Sequence, residues 1–383
     1  MKISTLSFTN KTTDWKLEPI SFEKLTLLVG ASGVGKTRIL KCILDLKKIT
    51  KGESLNGIKW FVRFSTKTGT IYQWEGEFEN KGLTAESVFG FDSEMDDQDK
   101  PKIEREKLLI NDQVVIDRTA NEIIFNGIKT VKLAHTESVI SLLKEEDEIK
   151  EVYTEFNRII FDNNAGTGFA LRHVLLDDDI ESKLLNNTTL NAIRECNEDI
   201  RTKLYFTYIN QRTEFDAIVD AFMDVFPYVE EIKVEPLGKS ENIPRIFREI
   251  PLIQIKEKGI DNWIDETKLS SGMFRTLLHI SELYLCADSS LILIDEFENS
   301  LGVNCIDELT YSIVSAKRDI QFILTSHHPY IINNISTSHW KLVSRKAGSV
   351  VAYDASQFNF DKSKHKAFTQ LMNLDLYSEG ANA

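Results

Sequence analysis

Leu25-Thr26-Leu27-Leu28-Val29-Gly30-Ala31-Ser32-Gly33-Val34-Gly35-Lys36-Thr37 is the stretch on which the fold turns. Its first five residues are apolar on both faces, the mark of a strand in the middle of a sheet. The next eight fit G-x-x-x-x-G-K-[ST] without exception, and Arg38 to Leu46 read as a helix with Ile39, Leu40, Ile43 and Leu44 on one face. Strand, glycine loop and helix together are the context this motif requires. Gly30 and Gly35 let the backbone turn so that successive N–H groups meet phosphate oxygens at a helix N-terminus. Lys36 is expected to reach the β and γ phosphates, and the Thr37 hydroxyl to hold Mg²⁺. Gly30, Ala31, Ser32, Gly33, Val34, Gly35, Lys36, Thr37 and Arg38 are the expected nucleotide contacts of this loop.

Three further stretches gain meaning from that loop. Ser290-Leu291-Ile292-Leu293-Ile294-Asp295-Glu296 reads as a buried strand ending in two acids. Asp295 is placed to support the metal, and Glu296 to polarise an attacking water. After a turn at Phe297 to Gly302 and a helix over Cys305 to Ala316, a second apolar strand, Ile320 to Leu324, runs into Thr325-Ser326-His327-His328-Pro329. A histidine just beyond a core strand is within reach of a γ phosphate at the same sheet edge. Lys268-Leu269-Ser270-Ser271-Gly272-Met273-Phe274-Arg275 reads by itself as a helix start, with Ser270 or Ser271 as the cap.

The remaining chain is less specific. Ile3 to Thr9 alternates as a half-buried strand, and Trp60 to Glu79 reads as a hairpin turning near Thr66-Lys67-Thr68-Gly69. Gly90 to Pro101 is acidic and loop-like. Short strands are expected from Leu108 to Leu133, with turns at Asn111-Asp112 and Asn126-Gly127. Helix is expected from Ser138 to about Asp162 and over most of Leu190 to Phe226. Lys144 to Glu148 reads as a solvated face, and Asp177-Asp178-Asp179 as a charged helix start. Val229 to Glu235 and Ile250 to Lys256 read as strands around a loop with Gly238 and Pro244. A hairpin over Trp340 to Tyr353 and a polar helical tail up to Met372 complete the chain.

With 383 residues, 42% of them hydrophobic and 27% charged, the composition is that of a soluble globular protein. No apolar run approaches the roughly 20 residues of a membrane span. Met1-Lys2-Ile3 runs directly into a strand, and the four cysteines lack metal-ligand spacing. A cytoplasmic protein without a signal peptide or membrane association is therefore expected. The formal charge of −13 argues against nonspecific nucleic-acid binding by the surface as a whole.

Taken together these motifs resemble the ABC-type ATPases of the SMC, RecF and OLD-like class, and most of all the compact ATP-binding proteins of bacterial phage-defence and abortive-infection systems. Gly30 to Thr37 stands for Walker A, Leu269 to Met273 for the signature, Leu291 to Glu296 for Walker B, Glu298 to Leu301 for the D-loop and Thr325 to His328 for the switch. The resemblance implies an α/β fold of ABC-ATPase type: a mixed central sheet with flanking helices, an antiparallel β subdomain and an inserted, mainly helical subdomain. The expected boundaries are 1–80 and 266–355 for the nucleotide-binding domain, 81–265 for the insertion and 356–383 for the tail. It implies ATP and Mg²⁺ as ligands, with Thr37 and Asp295 at the metal, Glu296 as catalytic base, and Lys36 and His327 at the phosphates. Ser270, Ser271 and Gly272 would contact the nucleotide of a second subunit, making the protein at least an ATP-dependent homodimer.

The pattern also departs from the family. Ser271 replaces the commoner second glycine, and Gly302 stands where histidine or aspartate is usual. Gln73 is the candidate for the hairpin glutamine, and Trp15 the candidate aromatic for adenine. Only 55 residues follow His328, and they lack the clustered acids of a Toprim nuclease. No nuclease activity is expected in this chain, so cutting would fall to a separate effector. The resemblance points to an ATPase switch that senses and controls such an effector, a nuclease or toxin. Two alternatives stand beside it: a RecF-like clamp on DNA, gripping through Lys47, Lys48 and Lys51 or Lys100, Lys102, Arg105 and Lys107, and an ATP-dependent scaffold with little turnover.

Overall fold

The structure, a computed structural model, describes residues 1–82, 99–162, 180–236, 250–299, 301–315, 318–361 and 363–378. Most of the acidic loop expected at Gly90 to Pro101, the Asp177 to Asp179 run, and Gly238 and Pro244 lie outside these. In chain order the strands are β1 (Lys2–Asn10), β2 (Trp15–Ser21), β3 (Leu25–Val29), β4 (Ile58–Ser65), β5 (Ile71–Phe78), β6 (Ile103–Ile110), β7 (Gln113–Thr119), β8 (Ile123–Phe125), β9 (Ile128–Lys129) and β10 (Ile159–Asp162). Then follow β11 (Val229–Pro236), β12 (Pro251–Glu257), β13 (Trp263–Asp265), β14 (Leu291–Ile294), β15 (Gln321–Thr325), β16 (Trp340–Lys346) and β17 (Ser349–Asp354). No helix among the described residues is long and apolar enough to cross a membrane.

The chain divides into two compact units, Met1–Asp162 with Ser289–Phe297 and Arg318–Ala383, and Asn163–Asp288 with Glu298–Lys317. The first unit holds one mixed sheet in the order β10-β14-β15-β3-β16-β17-β2-β1-β4-β5-β6-β7-β8-β9. From β10 to β16 every pairing is parallel. Beyond β2 every pairing is antiparallel. The parallel strands β3, β14 and β15 are buried along their whole length, as their unbroken apolar spelling requires. The hairpin turns sit where their residues demand: Asn111 and Asp112 have φ of 48° and 65°, the left-handed pair of a two-residue turn.

Two expectations change here. The strands β6 to β9, expected in an insertion starting at residue 81, continue the first unit's sheet. Ile103, Leu108 and Ile116 join Trp60, Trp74 and Phe78 in one apolar core, and that shared burial keeps them there. Helix was expected through Asp162, but the helix Asp147–Asn157 stops, and Ile159–Asp162 pairs in parallel with β14 as an edge strand. Phe156 packs edge-on against Phe64 and Trp74 at 5.4 and 5.5 Å, holding the helix over the antiparallel strands. Beside it the buried Glu106 carboxylate accepts from Trp74 Nε1 at 3.0 Å and from Val139 N at 2.9 Å, with Arg118 at 3.6 Å.

The second unit is mainly helical, with β11, β12 and β13 as a small antiparallel sheet. Helices Ile200–Asn210, Arg212–Val225 and Ser271–Leu285 bury Leu204, Phe206, Phe215, Phe222, Leu277 and Ile280. Its polar anchor is Glu266, which pairs with Arg201 at 2.9 Å and accepts from Ile253 N at 3.2 Å.

Opposite Trp60 in the β4–β5 ladder stands Gly76, where a Cβ would lie 2.3 Å from the indole ring. Gly76→Val should therefore displace Trp60 from Trp74 and Phe78 and cost about 1–3 kcal/mol, read as a lower urea midpoint. An unchanged midpoint would show that the indole does not depend on that gap.

Candidate nucleotide site

β3 leads into the glycine loop and the helix Lys36–Thr50, β14 ends at Ile294, and β15 lies between these two strands. The parallel register sets Ile294 beside Leu324 and Thr325 beside Leu28, so all three strand ends finish at one level. There Asp295 Oδ1 accepts two hydroxyls, Thr37 Oγ1 at 3.1 Å and Thr325 Oγ1 at 2.7 Å. The Thr325 oxygen also accepts from Glu296 N–H at 2.8 Å. That bond helps hold Glu296 at φ 46°, a left-handed conformation that costs a non-glycine residue.

The loop is as confined as its glycines imply. A Cβ on Gly30 would meet the Val343 carbonyl oxygen of β16 at 2.4 Å, so only glycine fits there. Gly35 has φ 113° and opens the helix. Lys36 Nζ donates to the carbonyls of Gly30 and Ala31, each at 2.8 Å, and so lies across the loop.

A cavity of about 550 Å³ opens over this arrangement. Ser32, Gly33, Gly35, Lys36, Thr37 and Arg38 line it from the loop, and Glu296, Thr325 and His327 from the strand ends. Of the other expected loop contacts, Gly30 and Ala31 hold Lys36 through their carbonyls, whereas Val34 is buried in the core. His328 does a different job from His327: its Nδ1 caps the helix Pro329–Asn334 by accepting from Tyr330 N. Thr37 and Asp295 offer a hydroxyl and a carboxylate, the hard oxygen donors that Mg²⁺ prefers, and Mg²⁺ usually takes few protein ligands beside phosphate and water. Among the described residues no group of three His, Cys, Asp or Glu forms a richer metal cluster. The residues present thus fit a phosphate chain with one hard cation.

The rest of the lining comes from residues outside the motifs: Phe8 and Asn10 of β1, Trp15 of β2, Lys41, Cys42 and Asp45 of the loop helix, and Arg345 of β16. The strand residues among them reach the cavity through strand order, which local spelling does not carry. Thr325 was legible as the start of the switch stretch, but its grip on Asp295 was not. Trp15 does not present the open aromatic face expected for adenine. It is 2% exposed, and the Arg38 guanidinium lies over its ring at 4.2 Å. Burial lowers the Arg38 pKa from its ordinary value, and nearby Arg345 acts in the same direction. Burial also raises the Asp45 carboxyl, countered by Lys48. Gln73 sits mid-strand on β5, opposite Arg63 and Leu109, and does not line the cavity.

The signature stretch belongs to the second unit. Ser270 caps the helix Ser271–Leu285, its Oγ accepting from Met273 N at 3.2 Å. Ser270 and Ser271 are exposed at the helix tip. Arg275 is buried behind them. It donates from Nε to His279 Nε2 at 3.3 Å and from a terminal nitrogen to the Asn299 carbonyl.

Residues 201–333 match the family described as "AAA domain, putative AbiEii toxin, Type IV TA system". No curated protein matches the chain. Among solved structures it is similar to an SmcHead bound to the C-winged helix domain of ScpA, at 15% identity over 92% of this chain and 98% of that one, TM-score 0.48. It is also similar to the SMC head domain from Thermotoga maritima, at 13% identity over 92% and 99%, TM-score 0.44. A third is an Smc head domain with an extended coiled coil, bound to the C-terminal domain of ScpA, from Pyrococcus furiosus, at 14% identity over 93% and 97%, TM-score 0.47. The family match covers about a third of the chain, and the glycine loop and the acidic strand end one strand away from it lie in the first unit's sheet.

Proposed function

We propose that this chain binds and hydrolyses ATP with Mg²⁺, closes as a head-to-tail homodimer around two nucleotides, and serves as the sensor or regulatory subunit of an antiphage or toxin system that controls a separate effector. The observation that carries the ATPase reading is Asp295, held between Thr37 and Thr325 while Glu296 and His327 line the same cavity as the glycine loop. Lys36 would exchange the Gly30 and Ala31 carbonyls for the β and γ phosphates. Thr37 and Asp295 would hold the metal, which when bound neutralises phosphate charge. Glu296, whose carboxylate is exposed at the cavity, would accept the proton of the attacking water, and His327 would face the γ phosphate. Ser270, Ser271 and Gly272, at an exposed helix N-terminus, would meet the nucleotide of the partner subunit.

The defence reading rests on the family description matched at residues 201–333, which names a toxin–antitoxin system. The effector would be a nuclease or toxin on another chain. A clamp on DNA draws less support from the cations first considered for it. Lys47 donates to the carbonyls of Asn157 and Ile159, and burial lowers its pKa to about 8. Lys48 faces Asp45 at 3.5 Å, and Arg105 faces Glu77 at 3.4 Å.

Glu296→Gln should leave ATP binding intact, reduce turnover at least about 100-fold and accumulate ATP-bound dimers on a sizing column. An unchanged hydrolysis rate would remove Glu296 from the base role. Ser270→Arg should spare folding and nucleotide binding by the monomer yet abolish ATP-driven dimerisation in light scattering, and dimers that still form would refute the shared site. In cells, Lys36→Ala should abolish protection against phage at unchanged protein level, whereas full protection would take ATP out of the mechanism.

A further inference from the structure

The nucleotide reading leaves open what receives the base, and the cavity lining outside the glycine loop's phosphate contacts bears on it. We propose that Arg38, not an aromatic ring, is the stacking surface for the nucleobase, with Trp15 as the support beneath it. This rests on the nucleotide reading above. Gly33, Lys36 and Thr37 suit phosphates, and Arg38, Trp15 and Phe8 line the same cavity with a cation and two aromatic rings suited to a base. Trp15 is almost fully buried and its ring is already covered by the guanidinium at 4.2 Å. Arg38 Nη2 also donates to Thr13 Oγ1 at 3.0 Å. A ring contact and a hydrogen bond therefore hold the guanidinium, while Arg38 itself is only part-buried and lines the cavity.

A guanidinium is planar and weakly hydrated on its faces, and it stacks on aromatic π-systems. Held against Trp15, it presents its second face without the entropy cost of ordering a free arginine. The result is a layered arrangement of indole, guanidinium and base. Arg38 then acts through its plane as well as its charge, which separates it from Lys36.

The test is calorimetric titration of the full chain in Mg²⁺ with two probes, ATP and inorganic tripolyphosphate, the second lacking a base. Wild type should bind both. Arg38→Met should weaken ATP about tenfold and tripolyphosphate less than about twofold, since stacking a base is worth roughly that factor. Arg38→Lys keeps the charge but loses the plane, and should behave like Arg38→Met. Retained tripolyphosphate binding would show that both variants keep a folded site. Equal loss of both probes in Arg38→Met with recovery in Arg38→Lys would make Arg38 a phosphate contact and overturn the assignment. Undiminished ATP binding by Arg38→Met would overturn it while leaving the nucleotide reading intact. A wild-type chain that binds neither probe would overturn both.

Discussion

One carboxylate oxygen, Oδ1 of Asp295, ties together three segments that lie far apart in the chain. Thr37 from the loop helix and Thr325 from the end of β15 both donate to it, and Thr325 passes the link on to the Glu296 backbone. Hydrogen bonds to a charged group contribute about 1.5–3 kcal/mol each, so this knot also steadies the strand ends that form it. It can exist only if β14, β15 and β3 keep register to the residue, because a slip of one turns each side chain to the opposite face. Register here is enforced by burial of the strands on both faces.

The rest of the site follows from where the sheet changes character. On the parallel side, strand ends supply the phosphate loop and the acids. Over β16, β17 and β2 the pairing alternates, antiparallel and then parallel, before the sheet continues antiparallel from β2, and β1 and β2 bring Phe8, Asn10 and Trp15 to the same cavity. Gly30 sits at this junction, pressed against the Val343 carbonyl so closely that no side chain is tolerated. The cavity is thus a product of both halves of one sheet. The second unit carries the signature helix, whose exposed tip is prepared by the Ser270 cap and backed by Arg275.

Misreadings along the chain share a cause. Ile159-Ile160-Phe161-Asp162 reads equally well as the last turn of a helix or as a short buried strand, and only the neighbouring β14 decides for strand. Trp15 has the composition of a base-stacking residue, but the guanidinium of Arg38 occupies its face. Lys47 counts as a surface cation in the sequence, yet folding turns it onto the carbonyls of Asn157 and Ile159. In each case local spelling is compatible with two outcomes, and contact with a distant segment selects one.

What the amino-acid sequence determined by itself was the chemistry with short-range grammar. The glycine loop and its helix, the strand ending in Asp295 and Glu296, the Ser270 cap and the Asn-Asp and Asn-Gly turns are all legible, because backbone conformation and apolar periodicity act over a few residues. Tertiary structure alone decided that β15 intervenes between β14 and β3, that Thr325 grips Asp295, and that β6 to β9 extend the first unit's sheet. The same holds for Arg38, which lies across Trp15 from 23 positions further along the chain. These depend on strand order and register, which arise when separated apolar surfaces are buried together, and no local run of residues encodes them.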